Sequence, residues 1–156
     1  MKDYLHTVQY YETDKMGITH HSNYIRWMEE ARIDYLRQVG LPYEKMEEIG
    51  VFSPVVSAEC RYKAATTFPE TVRIAVFPEG FNGVRMQFRY EMRKEDRLVA
   101  MGRSEHCFVD RDGKLLRLKR DHPELFDRLK ALAPEDKGAG DRSYARRYGC
   151  ITDPVL

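Results

Sequence analysis

At 156 residues, with 42% hydrophobic and 12% aromatic content, the chain is long enough to bury a sizeable core and short enough to be read as one domain. Twenty-six basic residues nearly cancel 25 acidic ones, so the formal charge of +1 excludes net attraction to nucleic acid or to an anionic membrane as a functional theme. Three distant cysteines, Cys60, Cys107 and Cys150, lack a CxxC pair, which argues against a disulfide framework or a zinc knuckle and fits a reducing, cytoplasmic setting.

The first residues, MKDYLHTVQYYETD, lack the apolar run of a signal peptide, and no stretch approaches the roughly 18 apolar residues of a membrane span. YLHTVQYY, residues 4–11, predicts a first strand from its β-branched and aromatic content. A loop follows. From Ser22, the residues Tyr24, Trp27, Met28, Ala31, Tyr35, Leu36 and Val39 recur at helical spacing until Gly40 and Pro42 end the pattern. They predict a long helix that Ser22 or Asn23 can cap. PYEKMEEIG predicts a short helix or turn, with Pro at its start and Gly at its end.

The period then changes. VFSPVVSAECRYK, TVRIAVFP, VRMQFRYEMRK and RLVAMGRSEHCFVD, separated by TTFPE, EGFNG and KED, predict four long strands in an antiparallel meander, with a short return at KLLRL. HPELFDRLKALA, residues 122–133, predicts an amphipathic helix, and the charged, Gly- and Pro-containing residues 134–156 read as an extension to a domain of residues 1–133. One strand, one long helix and a run of strands is an α+β order. A helix apolar over much of its circumference must be wrapped by a curved sheet.

The chemistry concentrates in ETDKMGITHHSN, ahead of the long helix. A helix start offers unpaired amides and the positive end of the peptide dipole, which stabilise negative charge. Asp14 lies just before it, in a loop where Gly17 allows close backbone approach. A carboxylate beside an oxyanion site suits attack on a carbonyl. His21 stands at the helix mouth as a candidate for orienting substrate or moving a proton, and Glu29, eight residues on, as a second acid that orients water. Glu29 has a plainer reading as the partner of Arg26 or Arg32 within its own helix. His20, His21, Glu29 and Glu30 have no metal-ligand spacing such as HExxH, and GRSEH around Ser104 is no GxSxG elbow.

The pattern Y-x-x-T-D-x-x-G-x-x-x-H-x-x-Y-x-x-W-x-E-x-A-R, from Tyr10 to Arg32, resembles the signature of the 4-hydroxybenzoyl-CoA thioesterase-like family of hotdog-fold acyl-CoA thioesterases. The likeness extends loosely through CRYKAATTFPETVRI and EHCFVDRDGK. It implies a hotdog fold, a curved antiparallel sheet around a long central helix, assembled as a homodimer or homotetramer with active sites at the subunit junction. It implies hydrolysis of an acyl-CoA thioester without a cofactor, coenzyme A being part of the substrate. Asp14 matches the catalytic carboxylate, as general base or nucleophile. His21 matches the helix-start position whose amide polarises the thioester, and Glu29 the second acid. Gly17, Thr19 and Tyr24 are expected to bind substrate. A near-neutral chain must meet the phosphates of coenzyme A with local cations. Arg61 and Lys63, flanking Tyr62, are the first candidates, followed by Arg85, Arg89, Arg103, Arg146 and Arg147. Two alternatives stay open, a thioesterase acting on acyl carrier protein and a non-catalytic acyl-thioester binding module.

Overall fold

Alternating side chains build one antiparallel sheet from β1 (Tyr4–Thr7), β2 (Val55–Tyr62), β3 (Thr71–Phe81), β4 (Arg85–Lys94) and β5 (Arg97–Cys107), in the order β1-β3-β4-β5-β2. The coordinates are a computed structural model that describes residues 1–133; the extension 134–156, with Arg146, Arg147 and Cys150, lies outside the described residues. Along β4 the period of two is plain: Met86, Phe88, Tyr90 and Met92 are buried on the inner face, while Arg85, Gln87, Arg89, Glu91 and Arg93 point outward.

The expected four-strand meander is corrected to three strands. β3, β4 and β5 follow one another, but β2 lies at the far edge and pairs with β5, Cys60 opposite Gly102. The connection from β2 to β3 explains the crossover. The Lys63 and Ala64 amides donate to the Val99 carbonyl, the Thr66 carbonyl accepts from the Thr19 amide, and the Glu70 carbonyl accepts from the Val8 amide. Residues 63–70 thus run from one sheet edge to the other across the loop that leads into the long helix. β1 is also shorter than expected, because its partner residues on β3 extend only over Thr71–Ile74, and residues 10–12 close into a 3-10 turn.

The central helix α1 (Ser22–Gln38) lies on the inner face and buries Trp27, Met28, Ala31 and Tyr35 against a core that includes Ile74, Phe88, Tyr90 and Met92. Burying a large side chain of this kind contributes about 1.5–3 kcal/mol. The approach is close at Gly102 of β5, where an added Cβ would collide with the Met28 thioether. Neither Ser22 nor Asn23 caps α1. The N-cap is His21, in helical backbone conformation and without a side-chain cap, because the Asn23 amide group is turned back to the carbonyls of Glu12 and His20 and Ser22 Oγ bonds the His20 ring. Three shorter helices complete the chain: α2 (Tyr43–Glu48), α3 (Leu118–Asp121) and α4 (Pro123–Leu132). The return at KLLRL is a single bridge between Val109 and Leu115. Among the described residues no helix is long and apolar enough to cross a membrane.

Candidate active site

Asp14 sits in a tight loop closed by a bridge between Thr13 and Thr19. Its amide donates to the Ile18 carbonyl at 2.9 Å, its carbonyl accepts from the Gly17 amide at 2.9 Å, and Gly17 makes the turn at φ +74°, where a side chain would be strained. The half-buried carboxylate is aimed by one bond, with Oδ1 accepting from the Met16 amide at 2.8 Å. Oδ2 has no hydrogen-bond partner among the described residues.

The loop is buttressed by two threonines of the TTFPE segment, which in sequence looks like no more than a turn. Thr66, 1% exposed, accepts the Thr19 amide at its carbonyl and bonds both the Thr19 hydroxyl (2.7 Å) and the Tyr24 hydroxyl (2.8 Å) through Oγ1. Thr67 Oγ1 donates to the Gly17 carbonyl at 2.6 Å. Gly17, Thr19 and Tyr24 are therefore brought together, although Thr19 and Tyr24 are buried as braces rather than presented at the surface.

At the helix mouth, Tyr62 reaches over from β2 and donates its hydroxyl to the His21 carbonyl at 2.9 Å, with its ring edge-on to those of His21 and Tyr24. Burial and then the neighbouring Cys60 push the Tyr62 phenol up to about 12, so it stays a donor. The His21 ring is exposed, and its amide has no acceptor among the described residues. Tyr62 and His21 thus meet at the helix mouth, and Asp14 lies in the loop that leads into it. Glu29 does not join them within one chain. It lines a separate groove of about 450 Å³ with Arg32, Tyr43, Ser53 and Val55, and neither this groove nor one of about 500 Å³ between α2 and α4 is lined by Asp14 or His21.

The description "thioesterase-like superfamily" matches residues 8–137. The chain belongs to that superfamily. It is 37% identical over 123 residues to an Aquifex aeolicus protein whose name proposes an esterase, covering 79% of this chain and 95% of that one. It is 34% identical over 119 residues to Bacillus subtilis YneP, whose name proposes an acyl-CoA thioesterase, covering 75% and 86%. The crystal structure of a DHNA-CoA thioesterase from Staphylococcus aureus superposes with a TM-score of 0.79 at 29% identity, covering 97% of this chain and 96% of that one. The fold is the hotdog fold, and the enzyme is a thioesterase.

For a thioesterase, the remaining charges divide sharply by place. Arg61 alternates with Tyr62 along β2 and so lies on the opposite, outer face of the sheet, in register with Met101 and beside Glu59. Lys63 is exposed just past the strand end. Arg85, Arg89 and Arg103 are engaged on that outer face: Arg85 pairs with Glu105, Arg89 with Glu79 (3.2 Å) and Glu91, and Arg103 with Glu79 (3.0 Å). These three are taken up by carboxylates rather than held open for phosphate.

Arg32 departs from its expected pairing with Glu29. It is 5% exposed, turned into the core, and donates from Nη1 to His106 Nε2 at 2.7 Å. Because a guanidinium only donates, His106 Nε2 carries no proton. Ser104 therefore donates to the same nitrogen (2.7 Å), and Tyr90 donates to Ser104 (2.7 Å). Burial, and then the Arg32 charge, push His106 down to about 3; the Ser53 carbonyl offsets only part of this and does not reach hydrogen-bond geometry with Nδ1. Among the described residues Glu29 itself has no ion-pair partner. No group of three or more His, Cys, Asp or Glu side chains is placed to hold a metal ion among the described residues.

Proposed function

We propose that this thioesterase hydrolyses acyl-CoA thioesters with Asp14 as the reacting carboxylate. The observation that carries the reading is the Asp14 carboxylate itself. One oxygen is fixed by the Met16 amide and the other has no partner among the described residues, in a loop that leads into the helix start, whose His21 amide likewise has no acceptor among them. Asp14 either takes a proton from the attacking water or adds directly to the thioester carbon, forming an anhydride that water then opens. The negative charge on the carbonyl oxygen is met by amides at the start of α1, the C–S bond breaks, and the departing thiolate takes up a proton to give coenzyme A and the free acid. Tyr62 holds the His21 carbonyl and so sets the direction of that helix start.

Residues 1–133 carry this catalytic unit. Its second half comes from a second copy of the chain. β2 is an edge strand, and Val55 and Val56 are 49% and 45% exposed, an open apolar edge of the kind that pairs with another strand. Antiparallel pairing of two β2 edges would bring Val55 and its Glu29-lined groove in one protomer toward Tyr62 and His21 in its partner, which supports a homodimer or a dimer of dimers. Lys63, exposed just past the end of β2, is a cation within the family-like segment that would meet a phosphate of coenzyme A.

The test is Asp14→Asn assayed on short, long and aromatic acyl-CoAs and on the same acyl groups carried by acyl carrier protein. Turnover should fall about 1,000-fold with an unchanged melting temperature. Wild-type rates in the variant would remove Asp14 from the reaction. A preference for the carrier-protein donors would reassign the substrate, and tight binding without turnover by the wild type would make the protein a binding module.

A further inference from the structure

We infer that Glu12 is a positioning residue, which holds the Asp14 loop and the first amides of α1 in register with one another. The inference rests on the reading of Asp14 and the helix start given above, and it concerns a buried acid that plays no part in that chemistry.

Glu12 is 6% exposed and lies two residues before Asp14. Its carboxylate gathers three donors from three parts of the fold: the Gln9 amide to Oε2 (2.8 Å), the His6 ring of β1 to Oε2 (2.9 Å), and the Trp27 indole of α1 to Oε1 (2.9 Å). Its main-chain carbonyl takes two more, the His20 amide (2.8 Å) and the Asn23 side-chain amide (3.0 Å). One residue thus fixes where the acid loop begins, where it ends and how the first turn of α1 is oriented. Asp14 lies between the two anchored ends.

The site is built for an anion. Burial pushes the Glu12 carboxyl up, but the Gln9 amide, His6 and Trp27 together outweigh it and keep it below its ordinary value. All three neighbours present N–H, so every position around the carboxylate asks for an acceptor. A glutamine offers one acceptor oxygen and an NH2 that would face a donor, leaving a buried mismatch. On its far side His6 has Nδ1 3.3 Å from the Glu30 carboxylate, to which the Tyr4 hydroxyl donates at 2.9 Å, and its ring lies 4.5 Å from that of Trp27. The anchor is therefore continuous from β1 through Glu12 to α1.

Glu12→Gln and the milder His6→Ala, which removes one of the three donors from the rim of the network, test this in the full-length enzyme. Leu129→Ala, a buried α4 residue outside the site, serves as a destabilised control. Trp27 is the chain's single tryptophan, so its fluorescence reports the Glu12 contact directly. Glu12→Gln should lower kcat about 30- to 100-fold with KM within about threefold, and shift Trp27 emission. His6→Ala should give a smaller change in the same two readouts, and Leu129→Ala a lower melting temperature with unchanged kcat. The inference is overturned if Glu12→Gln keeps kcat within about threefold of wild type, or if Leu129→Ala loses kcat equally at an equal loss of melting temperature. Should Glu12→Gln not fold, an unchanged kcat in His6→Ala overturns it. An Asp14→Asn enzyme at full activity would instead sink the reading of the site, whereas an inactive Asp14→Asn beside a fully active Glu12→Gln would sink only this inference.

Discussion

The two faces of the sheet carry the same kinds of side chain and put them to different use. On the outer face, Glu79, Glu91 and Glu105 pair with Arg89, Arg93, Arg103 and Arg85, all partly exposed, in a ladder where each charge has an opposite charge beside it. On the inner face, Arg32 is buried against a neutral histidine, Glu12 is buried among three N–H donors, and Arg32, Asp14 and Glu29 have no ion-pair partner among the described residues. Charge that is already matched by charge does little else. Charge held by neutral dipoles fixes geometry or stays open to a substrate, and it is costly to disturb because water cannot replace the lost partner.

The largest expected effect comes from the inner face under acid. His106 is kept neutral at about 3, while in the unfolded chain it titrates near its ordinary value of 6.5. Between those values the unfolded chain binds a proton that the folded one refuses. Stability from this group is therefore complete above about pH 6.5 and is lost as pH falls toward 3, by up to about 1.4 kcal/mol per unit. His106→Gln, which still offers Arg32 an acceptor, should flatten that part of the acid unfolding curve. An unchanged slope would place His106 with the outer-face groups.

A smaller effect, about 1–3 kcal/mol, is expected for Gly102→Ala, which forces the Met28 thioether and α1 off β5. Denaturant midpoints measure it, and a neutral result would mean that the helix can ride higher on the sheet at no cost. This contact also marks how far the sequence could be read. The helix was legible because Tyr24, Met28 and Leu36 repeat along one stripe, and the strands because apolar and polar residues alternate. Gly102, by contrast, is only a missing side chain in GRSEH until β5 is known to lie under α1. Strand order was not legible either, since β2 pairs with β5 through contacts far apart in sequence. Among the candidate residues, Asp14, His21 and Glu29 stood out through motif spacing, and the buried Thr66 and Glu12 did not, because nothing local distinguishes a buttress from a turn residue. Arg32 could have been found: it occupies the i+4 step between Met28 and Leu36, on the buried stripe.

Glu29 tests the comparison at the rim. If its open carboxylate serves the reaction across a subunit junction, Glu29→Gln should lower kcat about tenfold, near 1.4 kcal/mol of barrier, with stability unchanged. Steady-state kinetics beside a melting curve separate the two. An unaltered kcat would leave Asp14 as the one reacting carboxylate and return Glu29 to the surface.

The smallest effect is expected where the most charges are seen. Glu79 bonds two arginines, Arg89 at 3.2 Å and Arg103 at 3.0 Å, and Arg89 lies over the Phe77 ring at 4.1 Å, so the acid stands in the middle of the outer-face charges. Yet these side chains are each about a quarter exposed, so water re-solvates much of what a substitution leaves behind, and Arg89 keeps Glu91 as a further partner. Glu79→Gln should therefore cost no more than about 1 kcal/mol, less in high salt, and leave kcat and KM as they are. A rise in affinity for acyl-CoA in this variant would be the informative surprise, because it would mean that Arg89 or Arg103, once released from Glu79, reaches a phosphate of the substrate and that the outer face is part of the binding surface after all.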